Sequence, residues 1–375
     1  MLPTQLSNFS IFLICLVVMT FGCQKQISAP DEKSVDDASV LSKKYPQLLK
    51  DFNQVNLIGD NDEYSPVTVD PNLSNAWGLS FSPGGIAWIS SFNHGLSLVY
   101  STAGVQLRPA VAIPSPSAPT GGQVTGTVFN GSADFVLPNG GAARFIFDGT
   151  DGIISGWNPA AGNFALTAVN NAATSVYTGL ALANDGANNF LYAANLKTGK
   201  VDVFDKNFMP VNKPFIDPTL PASYAPFNIQ KIGNWLYVMY AKAEDGEEIT
   251  GSGLGYVSIF GTDGSFVKRF TSSGQLNAPW GIAQASAGFF SNDMSVSPNT
   301  PVILIGNFGD GRINAFDTDG TFIGQLRAHG NPIKIEGLWA ISFAPVTATS
   351  VDPNRLFFTA GPDDEAHGLF GYIER

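Results

Sequence analysis

One short string constrains this sequence more than any other feature, because it keeps returning. Trp77-Gly78-Leu79-Ser80 comes back as Trp280-Gly281-Ile282-Ala283 and, with one change, as Trp339-Ala340-Ile341-Ser342. Degenerate copies begin at Thr125, Thr178 and Phe227, so six copies recur at a period of about 50 residues. Behind each copy comes a second apolar strand, for example Leu191-Tyr192-Ala193-Ala194 or Val302-Ile303-Leu304-Ile305. A third follows a turn, clearest over 200–205 and 312–317, and a fourth runs outward, as at 265–270 and 321–326. The 40 glycines supply the turns and the 28 phenylalanines supply bulk for packing between repeats. A helical solenoid would show apolar residues at 3.6-residue spacing, and no such run follows residue 50.

Four short strands per period of about 50, joined by Gly or Asp-Gly turns, are the signature of a β-propeller blade. One blade has two apolar faces and cannot stand alone; a closed ring buries both. The expectation is an all-β chain: a six-bladed β-propeller of four-stranded antiparallel blades over residues 50–375. The last repeat supplies only three strands, over 338–343, 356–359 and 368–373. The alternating segment Phe52–Ile58 is predicted to be its missing outer strand, so that an N-terminal strand closes the ring and fewer bare edges remain.

The stretches Leu191–Asp205 and Ile303–Asp317 resemble NHL-type repeats, with Asn195 and Asn307 where that repeat often has Asp. Longer strings resemble, more specifically, an uncharacterised family of bacterial secreted six-bladed propellers. They are Asp70–Pro83, Ala225–Gln230, Leu276–Ala283, Gly306–Asp317 and Phe358–Gly371. That resemblance implies the fold and an extracytoplasmic setting, and it implies no activity.

The beginning of the chain reads as an address. Phe9–Gly22 is apolar but shorter than the roughly 20 residues a membrane-spanning helix needs, so residues 1–22 are predicted to be a signal peptide. The run ends Thr20-Phe21-Gly22-Cys23, which resembles the lipobox of bacterial lipoproteins and makes Cys23 the predicted lipidation site. Residues 23–49 read as a lipidated flexible tether, polar and without strand alternation. The expected location is the bacterial cell envelope, the outer membrane or cell surface, with the membrane contacted only through the lipid; an unused lipobox would make the protein secreted. Cys15 and Cys23 are the only cysteines, which excludes a disulfide scaffold.

A net charge of −11 argues against nucleic acid as a partner, since phosphate binding needs clustered Lys and Arg. No nucleophile elbow, zinc-protease pair, P-loop or dinucleotide fingerprint stands where it should. In a propeller, the loops entering the inner strands and the turns between second and third strands share one face. On that face Asn277, Glu336, Asp310, Asp363 and Asp364 form a candidate Ca²⁺ or cation site, against the alternative of a solvated acidic rim. His94, His367 and Glu365 lie in the same sector, with Asp60, Asp62, Glu63 and Asp70 added by the closing segment. Trp77, Trp280 and Trp339 are candidates for a ligand-stacking ring, weighed against blade-to-blade packing. Two functions compete. One is a lipid-anchored, monomeric binding module for a protein, peptide or glycan ligand. The other is a calcium-dependent lactonase or hydrolase of the kind six-bladed propellers host, for which only Asn277 and Glu336 fall at the expected mouth positions.

Overall fold

In a computed structural model, residues 49–290 and 301–375 are described; the predicted signal peptide, Cys23 and the tether through residue 48 lie outside them. Six antiparallel sheets repeat the same strand order around a ring. Blade one runs Ala76–Phe81, Ala87–Ser91, Leu96–Tyr100 and Val111–Ala112, from the axis outward. Blade two begins with Val124–Phe129, blade three with Tyr177–Asn184, blade four with Tyr224–Ile232, blade five with Pro279–Ala285 and blade six with Leu338–Phe343. The expected all-β, six-bladed propeller is the observed fold.

The second strands explain why the sequence reads as continuous apolar runs rather than strict alternation. Ala87–Ser91 and Val302–Asn307 are buried at every position, because both sheet faces press against neighbouring blades. Between blades three and four, Tyr192 and Val203 pack against Ile229, Val238 and Phe260. The recurring glycine has an equally local cause. Every inner strand slips register at the same place, between Ala76 and Leu79 in blade one and between Pro279 and Gly281 in blade five. At that bulge the strand comes so close to the next blade that a Cβ on Gly78 would run into the Thr125 carbonyl oxygen. One on Gly281 would lie 2.6 Å from the carbonyl oxygen of Trp339. The motif glycine therefore sets how tightly the inner strands can be drawn around the axis.

Asn53–Gly59 is the outer strand of blade six, pairing antiparallel with Leu369–Glu374 from Asn53↔Glu374 to Gly59↔Leu369. A parallel two-residue strand, Thr68–Val69, covers its free edge, which the sequence did not suggest. His367 ties the same seam, its Nδ1 lying 2.8 Å from Asp60 Oδ2, and the Asp60 carboxylate raises the imidazole pKa. Deleting residues 53–59 should expose the apolar edge of Leu369–Glu374, lower the melting temperature and cause aggregation. Differential scanning calorimetry and light scattering check this; unchanged melting and solubility would count against closure as a stabilising device.

Candidate functional site

The three tryptophans of the repeat meet one another at the axis. Trp339 is fully buried and stacks on Trp77 with ring centroids 3.6 Å apart and planes 15° from parallel. Phe308 stacks on Trp339 at 4.1 Å, and Trp280 meets it edge-on at 5.9 Å. With Phe227 and Leu196 they form one apolar cluster fed by the inner strands. They are thus packed against one another in the centre of the ring, not in the wedges between blades.

Above this floor, on the face where the inner strands begin, two adjoining depressions of about 430 and 580 Å³ share Glu248 and Glu365. The smaller is lined by Glu248, Asp310, Glu336, Asp364 and Glu365, with Lys334 as its cation. The larger is floored by Trp77, Phe92, Val176 and Leu196, with Thr178 and Lys197 beside them. Glu248 arrives on an extra hairpin in blade four, where Glu247–Ile249 pairs back on Lys242–Glu244. Its turn, Asp245-Gly246, has positive φ at both residues (54° and 89°), the geometry that Asp-Gly favours in a two-residue hairpin. Burial pushes the Glu248 carboxyl up to about 7, and the neighbouring charges of Glu365 and Glu247 add to that.

Glu365 is held by strained backbone. Asp363, Asp364 and Glu365 are successive non-glycine residues at positive φ (55°, 48° and 67°), a conformation that persists only where its surroundings hold it. The Glu365 carboxylate accepts from Asn75 Nδ2 at 2.5 Å, and Asn75 Oδ1 accepts from the Trp339 indole N–H at 2.8 Å. Asn75, fully buried and itself at φ 44°, thus joins the mouth to the aromatic floor. Burial raises the Glu365 pKa, against the lowering effect of the Asn75 hydrogen bond.

The predicted site residues divide. Asp310, Glu336, Asp364 and Glu365 line one depression. Asn277 faces the same blade junction, but its carbonyl oxygen is taken by the Gly251 N–H at 2.6 Å. Asp310 is engaged by Asn307 at 3.0 Å and Arg312 at 3.8 Å. Asp363 stands 73% exposed, 3.8 Å from His367 Nε2, and His94 is exposed outside both depressions. Among the described residues, no three His, Cys, Asp or Glu side chains come together as a metal centre would require. Sequence reasoning passed over Glu248, Asn75, Thr178 and Lys197; the long Asp-Gly hairpin in blade four was the available signal for Glu248.

One further carboxyl lies away from the mouth. Asp148, on the second strand of blade two, is 1% exposed. Its Oδ1 accepts from the Gly126 N–H at 2.6 Å and the Thr125 hydroxyl at 2.9 Å, while Oδ2 has no partner among the described residues. Burial pushes this carboxyl up to about 7. Thr359 holds the equivalent place in blade six, where its hydroxyl accepts from the Ala340 N–H at 3.1 Å.

No protein-family model matches the chain. A solved Bacteroides thetaiotaomicron protein of unknown function is similar in fold, with a TM-score of 0.52 at 10% identity, covering 86% of this chain and 77% of its own. A gluconolactonase from Xanthomonas campestris is similar at a TM-score of 0.49 and 14% identity, over 81% of this chain and 86% of its own. In sequence, the Acanthamoeba polyphaga mimivirus protein named "Uncharacterized protein R648" is 34% identical over 336 residues, covering 85% of this chain and 80% of its own length. That relative is viral, where the sequence strings had suggested a bacterial family. At that identity and coverage, the chain belongs to the family of mimivirus protein R648, and its fold is a six-bladed β-propeller.

Proposed function

We propose that the protein is a binding module, carried on the outer side of a membrane by a lipid on Cys23, that receives a positively charged ligand group in the mouth of its ring. One observation carries this reading: Glu248, Asp310, Glu336, Asp364 and Glu365 line a single depression against one lysine. Carboxylates crowded there repel one another, and a cation relieves that repulsion. An ammonium or guanidinium group suits the site better than a bare Ca²⁺ ion. Calcium takes six to eight oxygens around one point, whereas among the described residues these carboxylates are too spread for any three to hold a metal, and Asn277 Oδ1 is already bonded. The same spread weighs against the lactonase alternative, which needs a ring of metal ligands.

The test is calorimetric titration of an end-blocked peptide containing one lysine. Glu248→Gln should weaken binding about tenfold, as expected for a lost charge-assisted hydrogen bond. Equal affinity in wild type and variant, or no binding by either, would overturn the reading. The pH dependence follows from the raised pKa of Glu248. Below about 7 that carboxyl is mostly protonated, and a cation prefers it ionised, so affinity should rise as pH goes from 6 to 8 and protons should be released on binding. A flat profile would remove Glu248 from the site.

The anchor has its own test. Cys23→Ala should abolish labelling by a clickable fatty acid and release the protein from the membrane fraction, because acyl chains supply the only attachment proposed. Label that persists in the variant would show the lipobox assignment to be wrong.

A further inference from the structure

The larger depression holds more than negative charge. Trp77 and Thr178 both belong to its lining, and the Trp77 indole N–H and the Thr178 hydroxyl are buried without a hydrogen-bond partner among the described residues. Trp77 is 4% and Thr178 1% exposed, so water does not freely satisfy them. Their backbone carbonyls are already engaged: Trp77 O accepts from Thr359, and Thr178 O from the Trp280 indole at 2.8 Å. A buried donor left unpaired costs free energy that a ligand acceptor would recover. Lys197 lines the same depression and spends one proton on the Ala173 carbonyl at 3.3 Å, leaving donors for an anion. Glu248 and Glu365 supply the opposite charge.

The lining therefore combines two chemical poles, hydrogen-bond donors and carboxylates, with the apolar side chains of Phe92, Val176 and Leu196. We propose that this depression recognises a small zwitterion of amino-acid or dipeptide size, its ammonium held by Glu248 and Glu365 and its carboxylate by Trp77 Nε1, Thr178 Oγ1 and Lys197. This rests on the cation-binding reading above and adds the second pole. The volume of about 580 Å³ admits such a molecule with its side chains against the apolar floor. A ligand with a cation alone would leave the two buried donors as they are.

Intrinsic tryptophan fluorescence, with Trp77 in the lining, follows binding of alanyl-alanine, its C-terminal amide and its N-acetyl derivative to the intact protein. The dipeptide should bind at least about tenfold more tightly than either derivative, since each loses one charge-assisted pole. Thr178→Val, which keeps the side-chain shape, should weaken the dipeptide and leave the amide unchanged. If amide and dipeptide bind equally, the carboxylate pole is wrong while the cation reading survives. Tighter binding of the acetyl derivative than of the dipeptide would remove both poles' assignments. If none of the three binds, this proposal falls, and the lysine-peptide titration decides the cation reading separately.

Discussion

Asp148→Asn should stabilise the protein at pH 8 and flatten its stability between pH 4 and 7. The carboxyl titrates near 3.8 when unfolded and near 7 when folded. Between those values the folded form keeps a proton that the unfolded form has released. Stability therefore falls as pH rises through that window and levels off above about 7. The shift corresponds to about 4 kcal/mol, at 1.36 kcal/mol per pH unit. Asparagine keeps the Oδ1 acceptor used by Gly126 and Thr125 and carries no charge to desolvate. Thr359 already shows that a neutral acceptor suffices at the equivalent place in blade six. Urea denaturation of wild type and variant at pH 4.5 and 8 checks this. A variant no more stable than wild type at pH 8 would mean that the hydrogen bonds to Asp148 offset its burial and keep it ionised in the fold.

The second large effect concerns the axis. Trp339→Ala should cost about 3–5 kcal/mol, the range for removing a buried aromatic, because Trp77 and Phe308 both stack on it. It should also weaken ligand binding at a site that Trp339 itself does not line, since Asn75 would lose the indole N–H that orients it toward Glu365. Trp339→Phe separates the two consequences. Much of the stacking survives in that variant and the hydrogen bond does not, so binding should fall more than stability does. Thermal melts and peptide titrations on both variants provide the comparison. Binding lost strictly in proportion to stability would break the proposed link between floor and mouth.

The ring was legible because its cause is local and repeated. The bulge glycine recurs in four of the six inner strands, with Asn228 and Ala340 in its place in the other two, and the continuous apolar second strands recur wherever a sheet is covered on both faces. Closure by residues 53–59 was legible from a strand deficit at the other end of the sequence. The mouth was legible only in part. Asp310, Asp364 and Glu365 lie on turns between second and third strands and Glu336 on a loop entering an inner strand, all on one face, so blade geometry gathered them. Glu248 sits on a hairpin extension that no other blade has among the described residues, and repeat logic has nothing to say about an insertion. Asn75 was visible only as a letter in the string around Trp77; its role depends on partners 264 and 290 residues away, at Trp339 and Glu365. The sequence left the tryptophans between a ligand-stacking ring and packing between blades, because their meeting place depends on the side chains' direction toward the axis.

The pairing of Asn53 with Glu374 has a kinetic consequence. The strand that seals blade six is the first part of the ring to leave the ribosome, and its partner is the last. Blades one to five can each form from contiguous sequence while synthesis proceeds, whereas the sealing strand must remain unpaired until its partner is available. Bringing its two sides together closes a loop of roughly 320 residues, an entropy cost of about 5 kcal/mol by the (3/2)RT ln n relation. Non-local pairing of this kind slows folding, because the loop must close before its contacts form. The interval before sealing is when the apolar edge of Leu369–Glu374 is bare, and so it is when the chain most depends on staying separate from other copies of itself.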